Sequence, residues 1–213
     1  MPSLKSSPKK ENGKRRFTYA EYRTWPESER WELIDGEAFN MTAGTRVHSL
    51  TISNLAGLLV PNLRSGPCEV HVGQLEVRLP KPGQEDAQIT DVVIPDVAVI
   101  CDKAKLDNAG CRGAPDLVIE VLSPSTSSHD HLRKKMLYER HGVKEYWLVD
   151  PINRMITVYR HDKSGNFGPA TFFAEESTIT VKAITGLKIH AKDVFPPNER
   201  VVTQSPGKYG TRL

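Results

Sequence analysis

The sequence predicts a fold of mixed strands and helices, and two apolar runs and one helical pattern carry this prediction. Residues 92–100 and 117–122 are rich in Val and Ile and are bounded by Pro and Gly, which is typical of buried strands. Arg46–Leu63 repeats its leucines at helical spacing and is followed by Ser65, Gly66 and Pro67. A length of 213 residues, with 38% hydrophobic and 26% charged residues, indicates one soluble globular domain.

The positive charge is concentrated at the N-terminus. The first sixteen residues contain six Lys or Arg and one Glu, whereas the whole chain has a net charge of +3. We therefore predict a flexible basic arm at residues 1–16, a folded domain at 17–195 and a flexible tail at 196–213. The near-neutral domain excludes a broad electrostatic DNA-binding surface, so any contact with nucleic acid must come from local patches.

The cysteines and the hydropathy pattern predict a cytoplasmic protein. Cys68, Cys101 and Cys111 are few, odd in number and without CxxC spacing, which argues against a disulfide framework and a structural zinc site. The longest apolar stretches fall short of the roughly 18 residues that span a bilayer. The basic N-terminus is not followed by the apolar segment of a signal peptide.

Each of the two apolar runs contains one carboxylate that a strand core would not favour. These are Asp96 and Glu120, and an ionised carboxylate is costly to bury unless a cation or hydrogen-bond donors compensate it. If the strands are neighbours, facing side chains lie about 5 Å apart. Two such carboxylates and the backbone carbonyl of Val121 suit Mg²⁺ or Mn²⁺, which prefer oxygen ligands. Alternatively, Asp96 ends a strand and Glu120 pairs with a lysine or a neighbouring loop.

A helix is predicted directly after the second acid-bearing strand. Residues 123–128 offer hydroxyl groups for an N-cap, and Gly142 supplies a C-terminal stop. Leu132, Met136 and Leu137 share one predicted apolar face. Asp130, Lys134 and Tyr138 form a polar stripe, from which Lys134 is placed to lean toward the end of the Glu120 strand. The alternative is an exposed ion pair between Asp130 and Lys134, which stabilises little.

Two further residues are candidates for the same site. Glu32 begins a predicted hairpin with an Asp35-Gly36 turn, and it is either a third acidic ligand or an ion-pair partner of Arg30 or a nearby lysine. His48 lies in the first turn of the Arg46–Leu63 helix, where it either contacts a phosphate or a water near the metal or caps local structure. We expect residues 103–114 to be a mobile polar loop from which Arg112 reaches a phosphate.

These residues together resemble the PD-(D/E)xK nuclease superfamily and, within it, the Uma-two restriction endonuclease family. The resemblance covers about residues 17–195. It is carried in order by WELIDGEAFNM, His48, VIPDVAVI, GAPDLVIEVLSPST and KKMLYERHGVKEYWLVDP. One position departs from the superfamily pattern, because Leu122 stands where the general motif has lysine. The resemblance implies that Lys134, on the next helix, takes over that role.

The resemblance implies a restriction-endonuclease-like α/β fold, with a mixed central β-sheet flanked by α-helices. It also implies a Mg²⁺- or Mn²⁺-dependent endonuclease that hydrolyses phosphodiester bonds, with DNA a better candidate than RNA. Asp96, Glu120 and Val121 would hold the metal, and Lys134, Glu32 and His48 would complete the catalytic site. By analogy with enzymes that cut both strands of a duplex, we expect a homodimer. The alternative is a catalytically inactive nuclease-fold protein that binds nucleic acid or serves as an accessory subunit.

Overall fold

The structure is a computed structural model that describes residues 15–123 and 128–197, with the backbone alone at 128–130. The helices in this part of the chain are α1 (Tyr19–Tyr22), α2 (Arg46–Leu63), α3 (Ser128–Arg140) and α4 (Ala191–Val194). The strands are β1 (Trp31–Ile34), β2 (Glu37–Asn40), β3 (Glu69–Val72), β4 (Val77–Arg78), β5 (Val92–Val93), β6 (Val97–Ile100), β7 (Leu106–Asp107), β8 (Gly110–Arg112), β9 (Leu117–Val121), β10 (Glu145–Asp150), β11 (Met155–Arg160), β12 (Thr171–Ala174), β13 (Thr178–Thr180) and β14 (Lys188–His190).

The described strands form two six-stranded sheets and one two-stranded sheet. The first sheet has the order β2-β1-β5-β4-β8-β7, the second has the order β12-β11-β10-β9-β6-β3, and β13 pairs with β14. Both large sheets are mixed, because β4 and β8 pair parallel in the first and β9 and β10 pair parallel in the second. The predicted α/β class is therefore confirmed, with its strands divided between two sheets.

The predicted hairpin and the predicted long helix are both present. Asp35 and Gly36 have φ angles of 52° and 78°, and positive φ at both central residues is the requirement of a tight two-residue turn between β1 and β2. Helix α2 spans Arg46–Leu63 as predicted, and Thr45 caps it by accepting a hydrogen bond from the backbone nitrogen of His48 at 3.2 Å.

The second sheet has an apolar core on each face. On one face, Val97, Leu117, Ile119 and Trp147 pack against the leucines of α2 and the residues of α4. The opposite face carries Val118 and Tyr146, which pack with Leu137 and Tyr138 of α3. Because side chains alternate along a strand, Glu120 lies on the same face as Val118 and is directed toward α3.

We predicted one strand at residues 92–100, but this apolar run forms two strands in different sheets. β5 pairs with β1 and β4 in the first sheet, whereas β6 pairs with β3 and β9 in the second. The break contains Pro95, which has no N–H to donate to a ladder. Asp96 lies at this crossing from one sheet to the other, immediately before β6.

Three other local predictions are wrong. Residues 103–114 are not a structureless loop, because they form a 3₁₀ turn (Lys103–Lys105) and the hairpin of β7 and β8. Arg112 binds the Asp86 carboxylate and the backbone oxygen of Gln84 instead of extending outward. Leu132 and Met136 do not face the core with Leu137, since each is 55% exposed whereas Leu137 is fully buried.

A disulfide joins Cys68 and Cys101, so the prediction that the cysteines form no disulfide is wrong. Glu69 of β3 pairs with Ile100 of β6, and the two cysteines lie one residue beyond this pair. The strand register therefore brings their Cα atoms within 3.8 Å, although 33 positions separate them in the sequence. Cys111 is a free and buried thiol.

Three predictions fall wholly or partly outside the described residues. The predicted arm at 1–16 and the predicted tail at 196–213 overlap the described chain only at residues 15–16 and 196–197. The hydroxyl cluster predicted to cap α3 includes residues 124–127, which also lie outside it.

Candidate active site

Two ion pairs that share Lys134 lie at the centre of the candidate site, and they connect α3 to both large sheets. The ammonium group of Lys134 donates to the Oε1 atom of Glu32, on β1, at 2.9 Å and to the Oε1 atom of Glu120, on β9, at 3.0 Å. Only 7% of each glutamate side chain and 13% of the lysine side chain are exposed. The three charged groups are therefore removed from water together, and each compensates the burial of another.

Both glutamates have additional hydrogen-bond donors. The Tyr138 hydroxyl, one turn after Lys134 on α3, donates to Glu120 Oε1 at 2.6 Å. The backbone nitrogen of Ile94 donates to Glu32 Oε1 at 2.9 Å, in the segment that crosses between the sheets. Tyr138 had no predicted role in the site. Its spacing of four residues from Lys134 was the available signal, because such residues share a helix face.

Asp96 and His48 form the other side of the site. Val97 pairs with Ile119, so Asp96 lies beside Glu120 where the β6 and β9 pairing ends. One oxygen of Asp96, Oδ2, accepts a hydrogen bond from the Val121 nitrogen at 2.8 Å and lies 3.3 Å from His48 Nε2. The hydrogen bond to Asp96 raises the pKa of His48, burial opposes this shift, and Glu120 and the backbone of Val121 add to it.

The charges of the site alter the protonation of Glu120 and Lys134. Burial raises the pKa of Glu120 to about 7; Asp96 and Glu32 add to this rise, whereas Lys134 and the Tyr138 hydroxyl oppose it. Burial lowers the pKa of Lys134, but the nearby carboxylates outweigh this effect and hold that pKa well above its ordinary value. Lys134 is therefore a permanent cation, and Glu120 changes charge near neutral pH.

Another buried carboxylate, Asp91, connects the end of α3 to the hairpin that carries Glu32. Its Oδ1 accepts hydrogen bonds from the Asp35 nitrogen at 2.6 Å and from Arg140 at 2.9 Å, and its Oδ2 lies 3.3 Å from His141 Nε2. Burial raises the pKa of Asp91, but these partners outweigh it and lower the pKa overall. The contact fixes α3 against β1 and thereby supports the reach of Lys134 to Glu32.

The five side chains predicted for the site therefore make contacts in two groups: Glu32, Lys134 and Glu120 in one, and Asp96 with His48 in the other. Among residues 15–123 and 128–197, no group of three or more His, Cys, Asp and Glu side chains is arranged to hold a metal ion. The predicted donor set differs from such a group, because it has two carboxylates and one backbone oxygen. The roles of all these residues stay predictions.

The sequence matches a family model described as "Putative restriction endonuclease" (Uma2) over residues 19–192, which is most of the chain. The chain belongs to the Uma2 family. An uncharacterized Synechocystis protein is 30% identical over 150 residues, which cover 69% of this chain and 75% of that protein. Membership of this family supports a nuclease function for the chain.

A solved structure has a similar fold. The crystal structure of a protein from Anabaena variabilis, described as "a putative nuclease belonging to DUF820", matches with a TM-score of 0.69 and 21% sequence identity. The match covers 84% of this chain and 97% of that one, so the two proteins share nearly the whole fold. In the part of the Uma2 chain that the structure describes, no helix is long and apolar enough to cross a membrane.

Proposed function

We propose that this Uma2 protein is a metal-dependent endonuclease that hydrolyses phosphodiester bonds, with DNA as its substrate. The proposal is supported by the two buried ion pairs that Lys134 makes with Glu32 and Glu120. Asp96 lies beside Glu120, where the pairing of β6 and β9 ends. A fold maintained only for stability gains little from burying three charged groups, because well-packed apolar residues of similar volume stabilise as well or better.

The donor atoms fit a small divalent cation. Asp96, Glu120 and the backbone carbonyl of Val121 provide the hard oxygen ligands that Mg²⁺ and Mn²⁺ prefer. Burial and neighbouring carboxylates raise the pKa of Glu120, so an added cation would offset an existing excess of negative charge. When bound, the ion would polarise the scissile phosphate and lower the pKa of a coordinated water.

The other side chains have roles that follow from their charges. The Lys134 ammonium, a permanent cation held by two carboxylates, would offset negative charge that grows on the phosphate during hydrolysis. His48 would orient Asp96 through Nε2 and contact a phosphate oxygen or a water. Glu32 and Tyr138 would fix Lys134 and Glu120, respectively, since both contacts are shorter than 3 Å.

The test is cleavage of supercoiled plasmid and single-stranded DNA and RNA by purified protein with Mg²⁺ or Mn²⁺. We expect nicking or cutting of DNA, and losses of at least about a hundredfold in Asp96→Asn and Glu120→Gln, because each change removes a carboxylate that binds the ion. Glu176→Gln is the matched control, because that carboxylate is exposed and lies in the turn between β12 and β13.

Cleavage by Asp96→Asn and Glu120→Gln at the rate of the parent would contradict the site assignment. Calorimetric titration with Mn²⁺ tests the alternative function: DNA binding without cleavage, and without Mn²⁺ binding, would identify an inactive binding protein. Two copies acting together would cut both strands of a duplex, so we also propose a homodimer. Light scattering at micromolar concentration tests this, and a monomer would contradict it.

A further inference from the structure

The segment between β2 and α2 lies against the side of His48 that faces away from Asp96. Thr45 at its end caps α2, and the Thr45 side chain holds the backbone nitrogen of His48. Gly44 is next to this cap and lies beside the imidazole ring. A Cβ atom added at Gly44 would lie 2.5 Å from His48 Nδ1, 3.0 Å from Cγ and 3.2 Å from Cε1.

These distances leave no space for a side chain at position 44 while the imidazole remains in place. Non-bonded carbon and nitrogen atoms pack at about 3.5 Å, so the ring would have to move by about 1 Å. On its other edge, His48 Nε2 is 3.3 Å from Asp96 Oδ2, already at the long end of a hydrogen bond. Because the Thr45 cap holds the segment in position, a shift of this size away from Gly44 would press Nε2 against Asp96 closer than a hydrogen bond allows. The ring would therefore have to turn out of its contact with Asp96.

We propose that Gly44 is a positioning residue of the site: its missing side chain allows the imidazole of His48 to reach Asp96 through Nε2. The inference rests on the proposed function, which gives the contact between His48 and Asp96 its role. Gly44 acts through space alone, since the structure places it outside the left-handed region of φ. The imidazole is thus confined between the Gly44 backbone and the Asp96 carboxylate, with Nε2 directed at the acid.

The test compares Gly44→Ala with Gly57→Ala, a matched control in the same protein. Gly57 lies within α2, and an added Cβ there would meet no atom within 4 Å. We expect Gly57→Ala to leave cleavage unchanged and to raise the melting temperature, because alanine favours a helix interior. We expect Gly44→Ala to lower the melting temperature and to lower kcat at least about fivefold with little change in KM, since the ring no longer orients Asp96.

A double-mutant cycle with His48→Ala shows whether the effect of Gly44→Ala passes through the imidazole. Without the ring there is nothing for the new methyl group to strike, so Gly44→Ala in the His48→Ala background should not lower the melting temperature. Equal decreases in both backgrounds would overturn the proposal, as would no decrease in either.

A spectroscopic measurement separates a displaced ring from a general loss of stability. In protein labelled with ¹⁵N-histidine, with His48 assigned from the His48→Ala spectrum, the Nε2 resonance of His48 should shift in Gly44→Ala and stay in place in Gly57→Ala. An unshifted resonance in Gly44→Ala would overturn the proposal. The melting and spectroscopic measurements need no cleavage, so they decide the role of Gly44 even if the parent protein proves inactive and the proposed function fails.

Discussion

Replacing Lys134 with methionine should make the stability of the protein depend on pH in a new range. Methionine keeps most of the length of the side chain and removes the charge that binds Glu32 and Glu120. Removing one partner of a buried ion pair typically costs about 3–5 kcal/mol, because the remaining charge stays buried and uncompensated. We expect a loss of this size at about pH 8, where Glu120 is ionised in the parent.

The direction of the pH effect follows from the pKa of Glu120. In the folded parent this pKa is raised from its ordinary value of 4.5 to about 7. The folded state therefore binds more protons than the unfolded state between these values. The contribution of Glu120 to the free energy of unfolding therefore falls as the pH rises through this window and is constant well above it. Lys134 lowers the pKa of Glu120, so Lys134→Met raises it further and extends the fall above pH 7.

The measurement is urea denaturation at a series of pH values, with a chelator present to remove divalent ions. Above about pH 8, one unit beyond the pKa of Glu120, the Glu120 contribution is level in the parent. In Lys134→Met it should still fall there, by up to about 1.4 kcal/mol for each further pH unit. Lys192→Met is the control, because Lys192 is an exposed lysine on α4. Adding Glu120→Gln should abolish the difference in slope. Parallel curves for the parent and Lys134→Met would refute the electrostatic account of the site.

Two phenylalanine substitutions in the core between α3 and the second sheet should have different consequences. Tyr138→Phe removes the 2.6 Å hydrogen bond to Glu120, so the pKa of Glu120 should rise. The measurement is ¹³C NMR of labelled glutamate. An unchanged pKa would show that this bond does not stabilise the carboxylate. Tyr146→Phe removes a fully buried hydroxyl that has no hydrogen-bond partner among the described residues. The free energy of unfolding, measured by thermal denaturation, should therefore rise by up to about 1 kcal/mol. A decrease would contradict this account.

The parts of the fold that sequence analysis predicted correctly depend on local chemistry. The Asp35-Gly36 turn is specified by residues that tolerate positive φ, and α2 by its apolar spacing and the Thr45 cap. The division of residues 92–100 between two sheets was not predictable in this way. An apolar run indicates that a segment is buried, but it does not indicate which strand pairs with it.

The same distinction applies to the site. Asp96 and Glu120 were recognisable because each is a carboxylate within an otherwise apolar run of the sequence. The disulfide between Cys68 and Cys101 depends on the register of β3 and β6, which the cysteine spacing does not contain. Leu132 and Met136 have helical spacing with Leu137, yet the helix is rotated so that Lys134, Leu137 and Tyr138 face the protein. Lys134 makes its charged contacts on the same face as the buried Leu137 and Tyr138, and apolar periodicity alone did not reveal this face.

The position of the lysine on a helix has a physical consequence for the site. Glu32 belongs to the first sheet and Glu120 to the second, and the chain crosses between them at Asp96. A lysine at position 122 would lie at the end of β9, the strand that already carries Glu120, so its position would be fixed relative to the second sheet alone. Lys134 comes from a separate element, and its ammonium group binds both glutamates within 3.0 Å. The distance between Glu32 and Glu120 therefore depends on how the two sheets are placed relative to each other. A change that separates the sheets should break the ion pairs of Lys134 before it disrupts either apolar core.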